Sequence, residues 1–166
     1  MTHEAYLKPF ETLFGLLKAR NLHVAAAESC TAGLFSATLA EIPGASDVME
    51  YGFIVYSVDA KDKLIGVSRR TVEDFGVVSE ETAKEMALGA AERAGAEIGV
   101  GITGFAGPGS DGVLPVGRVC FGYRVFGKTF AETVDFGDRG RNEVRRLAAF
   151  RAAQKLTILL RENACD

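Results

Sequence analysis

Ala25-Ala26-Ala27-Glu28-Ser29-Cys30-Thr31-Ala32-Gly33-Leu34 is the stretch whose reading decides the fold. The apolar run from His23 to Ala27 reads as a buried strand, and it breaks at Glu28-Ser29-Cys30-Thr31. A helical spacing of apolar residues then starts at once through Leu34, Leu39 and Ile42. A strand, a tight polar turn and a helix start aim unpaired backbone N–H groups and a hydroxyl at one place. Ligands of open α/β sheets gather at the carboxyl ends of strands, which makes Ser29 the candidate reactive group. The plainer alternative is that Ser29 or Thr31 only caps the helix. Two hydroxyls and a thiol within Ser29-Cys30-Thr31 exceed what a cap requires.

Outward from this turn, the chain alternates helices and strands. Residues 4–20 place Tyr6, Phe10, Leu13, Phe14 and Leu17 on one helical face, with Asn21 as the stop. The strand at 22–27 and the helix at 32–42 follow, closed by Pro43-Gly44. Residues 51–56 are aromatic and β-branched, hence a strand, and lead into a helix at 57–65 ended by Gly66. One helical turn is expected at 71–75. Ser79 then caps a helix running to Ala94, which Gly95 stops. A strand at 97–102 opens into the glycine-rich loop 103–115. Strands at 117–126 and 128–136 form a hairpin around Gly127-Lys128, and a last helix covers 141–162. The pattern predicts an α/β fold: a three-layer α/β/α sandwich on a mixed, mostly parallel five-stranded sheet, with one strand reversed.

Composition narrows the function classes. The 166 residues favour one domain, 1–166, and 48% hydrophobic with 25% charged residues is ordinary globular usage. A net charge of −3 argues against a nucleic-acid or anionic-membrane surface, yet a few arginines suffice for a small anion. Cys30, Cys120 and Cys165 form no C-x-x-C pair, so neither zinc nor a disulfide framework is expected. Cys30 beside Ser29 is an alternative nucleophile, or a small half-buried filler. Charges at Glu4, Lys8, Glu11 and Lys18 break any signal-peptide core, and no apolar run reaches membrane length. A cytoplasmic protein without membrane partners is expected.

Three further stretches carry chemistry. In Tyr56-Ser57-Val58-Asp59-Ala60-Lys61, a rotation of about 100° per residue turns Lys61 toward the apolar face of Val58, Leu64 and Ile65. Burial and a helix N-terminus both lower a lysine pKa and make it a usable base. The alternative is a lysine whose stem covers the core while its ammonium reaches water. Tyr56 can donate a hydrogen bond or simply pack. Thr103-Gly104-Phe105-Ala106-Gly107-Pro108-Gly109 is neither a P-loop nor a dinucleotide fingerprint, but its amides can cradle an anion. Arg141 and Arg145 lie four apart, on one helix face above Ala149, Ala152 and Leu156. A guanidinium at the head of a buried stripe suits phosphate or carboxylate.

With these stretches in hand, the sequence resembles the C-terminal domain family of the competence/damage-inducible protein CinA, over roughly Leu7 to Leu160. The likeness rests on Ala27-Glu28-Ser29-Cys30-Thr31-Ala32-Gly33, Pro43-Gly44-Ala45-Ser46, Tyr56-Ser57-Val58-Asp59-Ala60-Lys61, Gly76-Val77-Val78-Ser79, Thr103-Gly104-Phe105-Ala106-Gly107-Pro108 and Pro115-Val116-Gly117. Stand-alone members are nicotinamide-mononucleotide deamidases. The resemblance therefore implies hydrolysis of a pyridine mononucleotide amide to the acid and ammonia, without cofactor or metal. Carried over, its serine, lysine and arginine fall on Ser29, Lys61 and Arg145. Tyr56 and Thr31 join the expected catalytic set, with a role for Thr31 as co-nucleophile left open. Gly33, Thr103, Gly104, Gly107, Arg141 and Arg145 are the expected substrate contacts.

The chain departs from the family pattern at three places. Ala32-Gly33 replaces Gly-Gly, Val58-Asp59 replaces Asn-Glu, and the extra Gly140-Arg141 leaves open which arginine binds. Self-association is expected from the family. The pyrophosphatase activity linked to the family's molybdopterin-binding-like domain is not expected in this length. A non-catalytic module for a nucleotide or phosphate ligand is the rival reading.

Overall fold

Alternation along β1 (Val24–Glu28) builds the layers, because this strand is buried along its whole length. In the computed structural model, which describes residues 1–163, Val24 and Ala26 face one way and Ala25 and Ala27 the other. Val24 and Ala26 pack with α1 (His3–Ala19), α2 (Leu34–Ala40) and α6 (Arg141–Glu162), through Phe10, Phe35, Leu39, Ala152 and Leu156. Ala25 and Ala27 pack with α3 (Val58–Ile65) and α5 (Glu80–Ala94), through Ile65, Met86 and Ala90. The short α4 (Arg69–Phe75) lies on the same side, against α5. Cys165 lies outside the described residues.

β2 (Gly52–Ile54), β3 (Ile98–Gly104), β4 (Arg118–Val125) and β5 (Lys128–Asp135) complete a sheet of order β2-β1-β3-β4-β5. β1 pairs parallel with β2 and β3, whereas β4 pairs antiparallel with β3 and with β5. One strand, β4, thus runs against the other four, as the pattern predicts. This is the three-layer α/β/α sandwich on a mixed five-stranded sheet.

Local chemistry explains most boundaries. The Ser79 side chain accepts from the Thr82 amide and Gly95 adopts φ 64°, so α5 starts and stops where its caps dictate. Asn21 takes φ 53°, and the Leu22 amide returns to the Leu17 carbonyl to close α1. Phe126 and Gly127 both have positive φ, the turn that matches the twist of the β4–β5 hairpin. Three differences from the pattern stand out. The strand expected at 51–56 shrinks to Gly52–Ile54 at the sheet edge, and an unforeseen 3-10 turn covers Ala45–Asp47. Helix α2 begins at Leu34, because Ala32 and Gly33 are both left-handed, at φ 49° and 91°.

Helix α5 lies directly on the sheet. Gly101 and Gly122 are cross-strand partners, and a Cβ on either would collide with the Ala83 carbonyl oxygen. The obstacle is backbone, which cannot swing aside. Replacing Gly122 with Ala is expected to cost about 3 kcal/mol and to lower Tm by about 10 °C. An unchanged melting curve would contradict this account of the α5 packing.

Candidate active site

The β1–α2 turn, residues 29–33, stands at the carboxyl ends of β1 and β3, where the Ser29 amide donates to the Ile102 carbonyl at 2.9 Å. Glu28 fixes the far side of this turn. Its buried carboxylate accepts from the Phe35 amide (3.1 Å), the Ser36 amide (2.9 Å) and the Ser36 hydroxyl (2.7 Å). A carboxylate at a helix N-terminus satisfies donors that otherwise lack partners. Neither Ser29 nor Thr31 caps α2, so the capping alternative falls away: Gly33 precedes the helix with no side-chain cap, and Glu28 takes that task.

Lys61 reaches the turn from α3. Ser57 caps that helix through the Ala60 amide, and the Val67 amide returns to the Lys61 carbonyl beyond Gly66 at φ 73°. Lys61 is 0% exposed, so its ammonium does not reach water. Nζ lies 2.9 Å from Ser29 Oγ and donates to the Val55 carbonyl at 2.7 Å. Val55 is itself tied to β1 by its amide, which donates to the Glu28 carbonyl at 2.9 Å. No carboxylate pairs with Nζ among the described residues, and burial pushes the amine down to about 8. That disfavours the ammonium by about 3 kcal/mol relative to a free lysine.

Cys30, the rival nucleophile, is the opposite case. Burial pushes its thiol up to about 12, so at neutral pH it carries its proton. Ser29 keeps 8% of its surface open and holds the amine.

A cavity of about 210 Å³ opens over Ser29. Val77, Val78 and Phe105 give it apolar walls, and Arg141 gives it a cation. The Arg141 guanidinium donates to the Gly107 carbonyl at 2.8 Å and to the Tyr56 hydroxyl at 2.6 Å. Both partners are neutral, and among the described residues no carboxylate pairs with Arg141. Thr103 lines the same cavity, and its hydroxyl donates to the Val77 carbonyl at 2.8 Å, tying down the loop above.

The structure thus brings Ser29, Lys61, Tyr56, Thr103, Gly104, Gly107 and Arg141 together. Three expected site residues stand elsewhere. The Thr31 hydroxyl is buried with no hydrogen-bond partner among the described residues and does not line the cavity. Gly33 sits behind the turn against Ile54. Arg145 donates to the Thr31 carbonyl at 2.9 Å and stays out of the cavity wall. Sequence reasoning assigned nothing to Glu28 or to the Val55 carbonyl. For Glu28 the signal is a carboxylate shortly ahead of a helix N-terminus, whose first amides need acceptors. A main-chain carbonyl leaves no mark in a sequence. Among the described residues no group of three His, Cys, Asp or Glu side chains is placed to hold a metal ion, and no helix is long and apolar enough to cross a membrane.

Comparison with known proteins places the chain in a family. Residues 8–160 match the family described as the CinA C-terminal domain. A CinA-like protein of Chlorobium limicola is 46% identical over 146 residues, covering 87% of this chain and 33% of the relative. One of Chlorobaculum tepidum is 43% identical over 159 residues, covering 92% and 37%. The chain therefore spans about a third of the length of these curated relatives. Among solved structures, the competence/damage inducible protein CihA of Agrobacterium tumefaciens superposes with TM-score 0.89 at 36% identity, covering 93% of this chain and 94% of that one. The competence damage-inducible protein A (ComA) of Klebsiella pneumoniae superposes with TM-score 0.92 at 28% identity, covering 96% and 99%. On these matches the chain belongs to the CinA C-terminal domain family.

Proposed function

We propose that the chain is an amidohydrolase that converts nicotinamide mononucleotide and water to nicotinate mononucleotide and ammonia. The single observation that carries the reading is the buried amine of Lys61 against Ser29 Oγ at the cavity wall. A neutral amine has one lone pair and two N–H groups. With one N–H given to the Val55 carbonyl, the lone pair can face the serine and accept its proton.

Chemistry on an amide follows from that pair. Ser29 Oγ bonds to the carboxamide carbon while its proton passes to Lys61 Nζ. Among the described residues, the amide of Cys30, which lines the cavity beside Ser29, donates to no other residue and can serve the oxyanion. The carbon–nitrogen bond then breaks, and Lys61 returns the proton to the leaving amine, which departs as ammonia. A water attacks the resulting ester with Lys61 as base, the acid leaves, and the serine hydroxyl is restored. The apolar walls at Val77, Val78 and Phe105 suit a pyridine ring, and Arg141, which pairs with no carboxylate among the described residues, suits the phosphate.

Two outcomes test this. Purified protein given nicotinamide mononucleotide should release ammonia, and Ser29→Ala should lower that release at least about 10³-fold. Ligand-dependent thermal stabilisation of the unsubstituted protein without product would favour a binding module instead. In the pH profile, the base works only when neutral, and the neutral fraction grows as pH rises through about 8. kcat/KM should therefore climb about tenfold per pH unit below that point and level off above it. A flat profile between pH 6 and about 9 would remove Lys61 as the base.

A further inference from the structure

Arg141 and Arg145 stand one turn apart on α6, and the resemblance alone would give either of them the substrate's anion. The structure separates them. Arg141 reaches the cavity mouth, between Gly107 and Tyr56. Arg145 bends the other way, with Nη2 2.9 Å from the Thr31 carbonyl oxygen and Nη1 3.3 Å from Asn142 Oδ1. No carboxylate pairs with Arg145 among the described residues, so its charge is directed at the reactive turn.

That turn needs holding. Ala32 has φ 49°, a left-handed conformation that costs an alanine free energy, and Gly33 follows at φ 91°. The Thr31 carbonyl accepts from Leu34 as well as from Arg145, and the next amide along, Ala32, donates to the Ser29 carbonyl at 3.0 Å. A cation on the Thr31 oxygen polarises the Thr31–Ala32 peptide and strengthens the bond from Ala32 to Ser29. One hydrogen bond from α6 thereby fixes both the serine's main chain and the neighbouring amide of Cys30.

We propose that Arg145 is a positioning residue, which holds the reactive turn in its left-handed form through the Thr31 carbonyl, and that Arg141 is the arginine that meets the anion. The part that concerns turnover rests on the amidohydrolase reading. Misplacing a reacting group by about 1 Å costs about 10²-fold in rate, so Arg145→Met should lower kcat by about that factor while KM for nicotinamide mononucleotide stays within about twofold. Arg145→Lys should restore part of kcat. Arg141→Met should raise KM about tenfold or more. An Arg145→Met enzyme with raised KM and unchanged kcat would overturn the proposal and make Arg145 a substrate contact.

A second measurement needs no turnover. Amide hydrogen exchange, read residue by residue by ¹⁵N NMR, should speed up at Ala32 and Leu34 in Arg145→Met by about tenfold or more, while Val100 in β3 and Leu156 in α6 stay as protected as before. Unchanged protection at Ala32 and Leu34 would sink the positioning role whatever the enzyme hydrolyses. Loosened amides in a protein whose unsubstituted form releases no ammonia would instead retain the positioning role and remove the amidohydrolase reading.

Discussion

A lysine amine shut away from water, with no carboxylate among the described residues to neutralise it, is the constraint the rest of this structure serves. Burying an unpaired ammonium is costly, and proteins relieve that cost by lowering the group's pKa. Here the relief leaves Lys61 able to be neutral close to physiological pH, with Ser29 Oγ as one of its two partners. The same burial that keeps the Cys30 thiol protonated favours the neutral form of the Lys61 amine, because one group is charged when deprotonated and the other when protonated.

The frame around this pair is built from main chain as much as from side chains. Val55 holds Lys61 Nζ by its carbonyl and is held by Glu28 through its amide, so the residue just after the edge strand β2 sets the height of the amine above β1. Glu28 and Arg145 both hold the β1–α2 turn, one through the first amides of α2 and the other through the Thr31 carbonyl. The turn itself is left-handed at two successive residues, Ala32 and Gly33, and α2 begins only after them. Glycines at 101 and 122 let α5 lie on the sheet, and Val78, just before that helix, forms part of the cavity wall.

Much of this was legible in the sequence where short-range chemistry decides. Ser79 and Gly95 bound α5 because capping and the left-handed stop are local, and the inward direction of Lys61 follows from helical geometry alone. What the sequence could not show depends on contacts between distant segments. The burial of Glu28 requires α2 to fold back over it. The length of β2 depends on its place at the sheet edge, and it stops at Ile54 although the β-branched and aromatic pattern runs on. The division between Arg141 and Arg145 was illegible for a geometric reason: both share one face of α6, and only the way α6 crosses the turn sends one guanidinium to the cavity and the other to the Thr31 carbonyl.

The most direct test of the account is the titration of Lys61 itself. The side-chain ¹³Cε resonance, assigned by comparison with Lys61→Met, reports the protonation of Nζ without any substrate. The account predicts a midpoint near 8, set by burial. A midpoint near the ordinary lysine value of about 10.4 would show a solvated ammonium and contradict it.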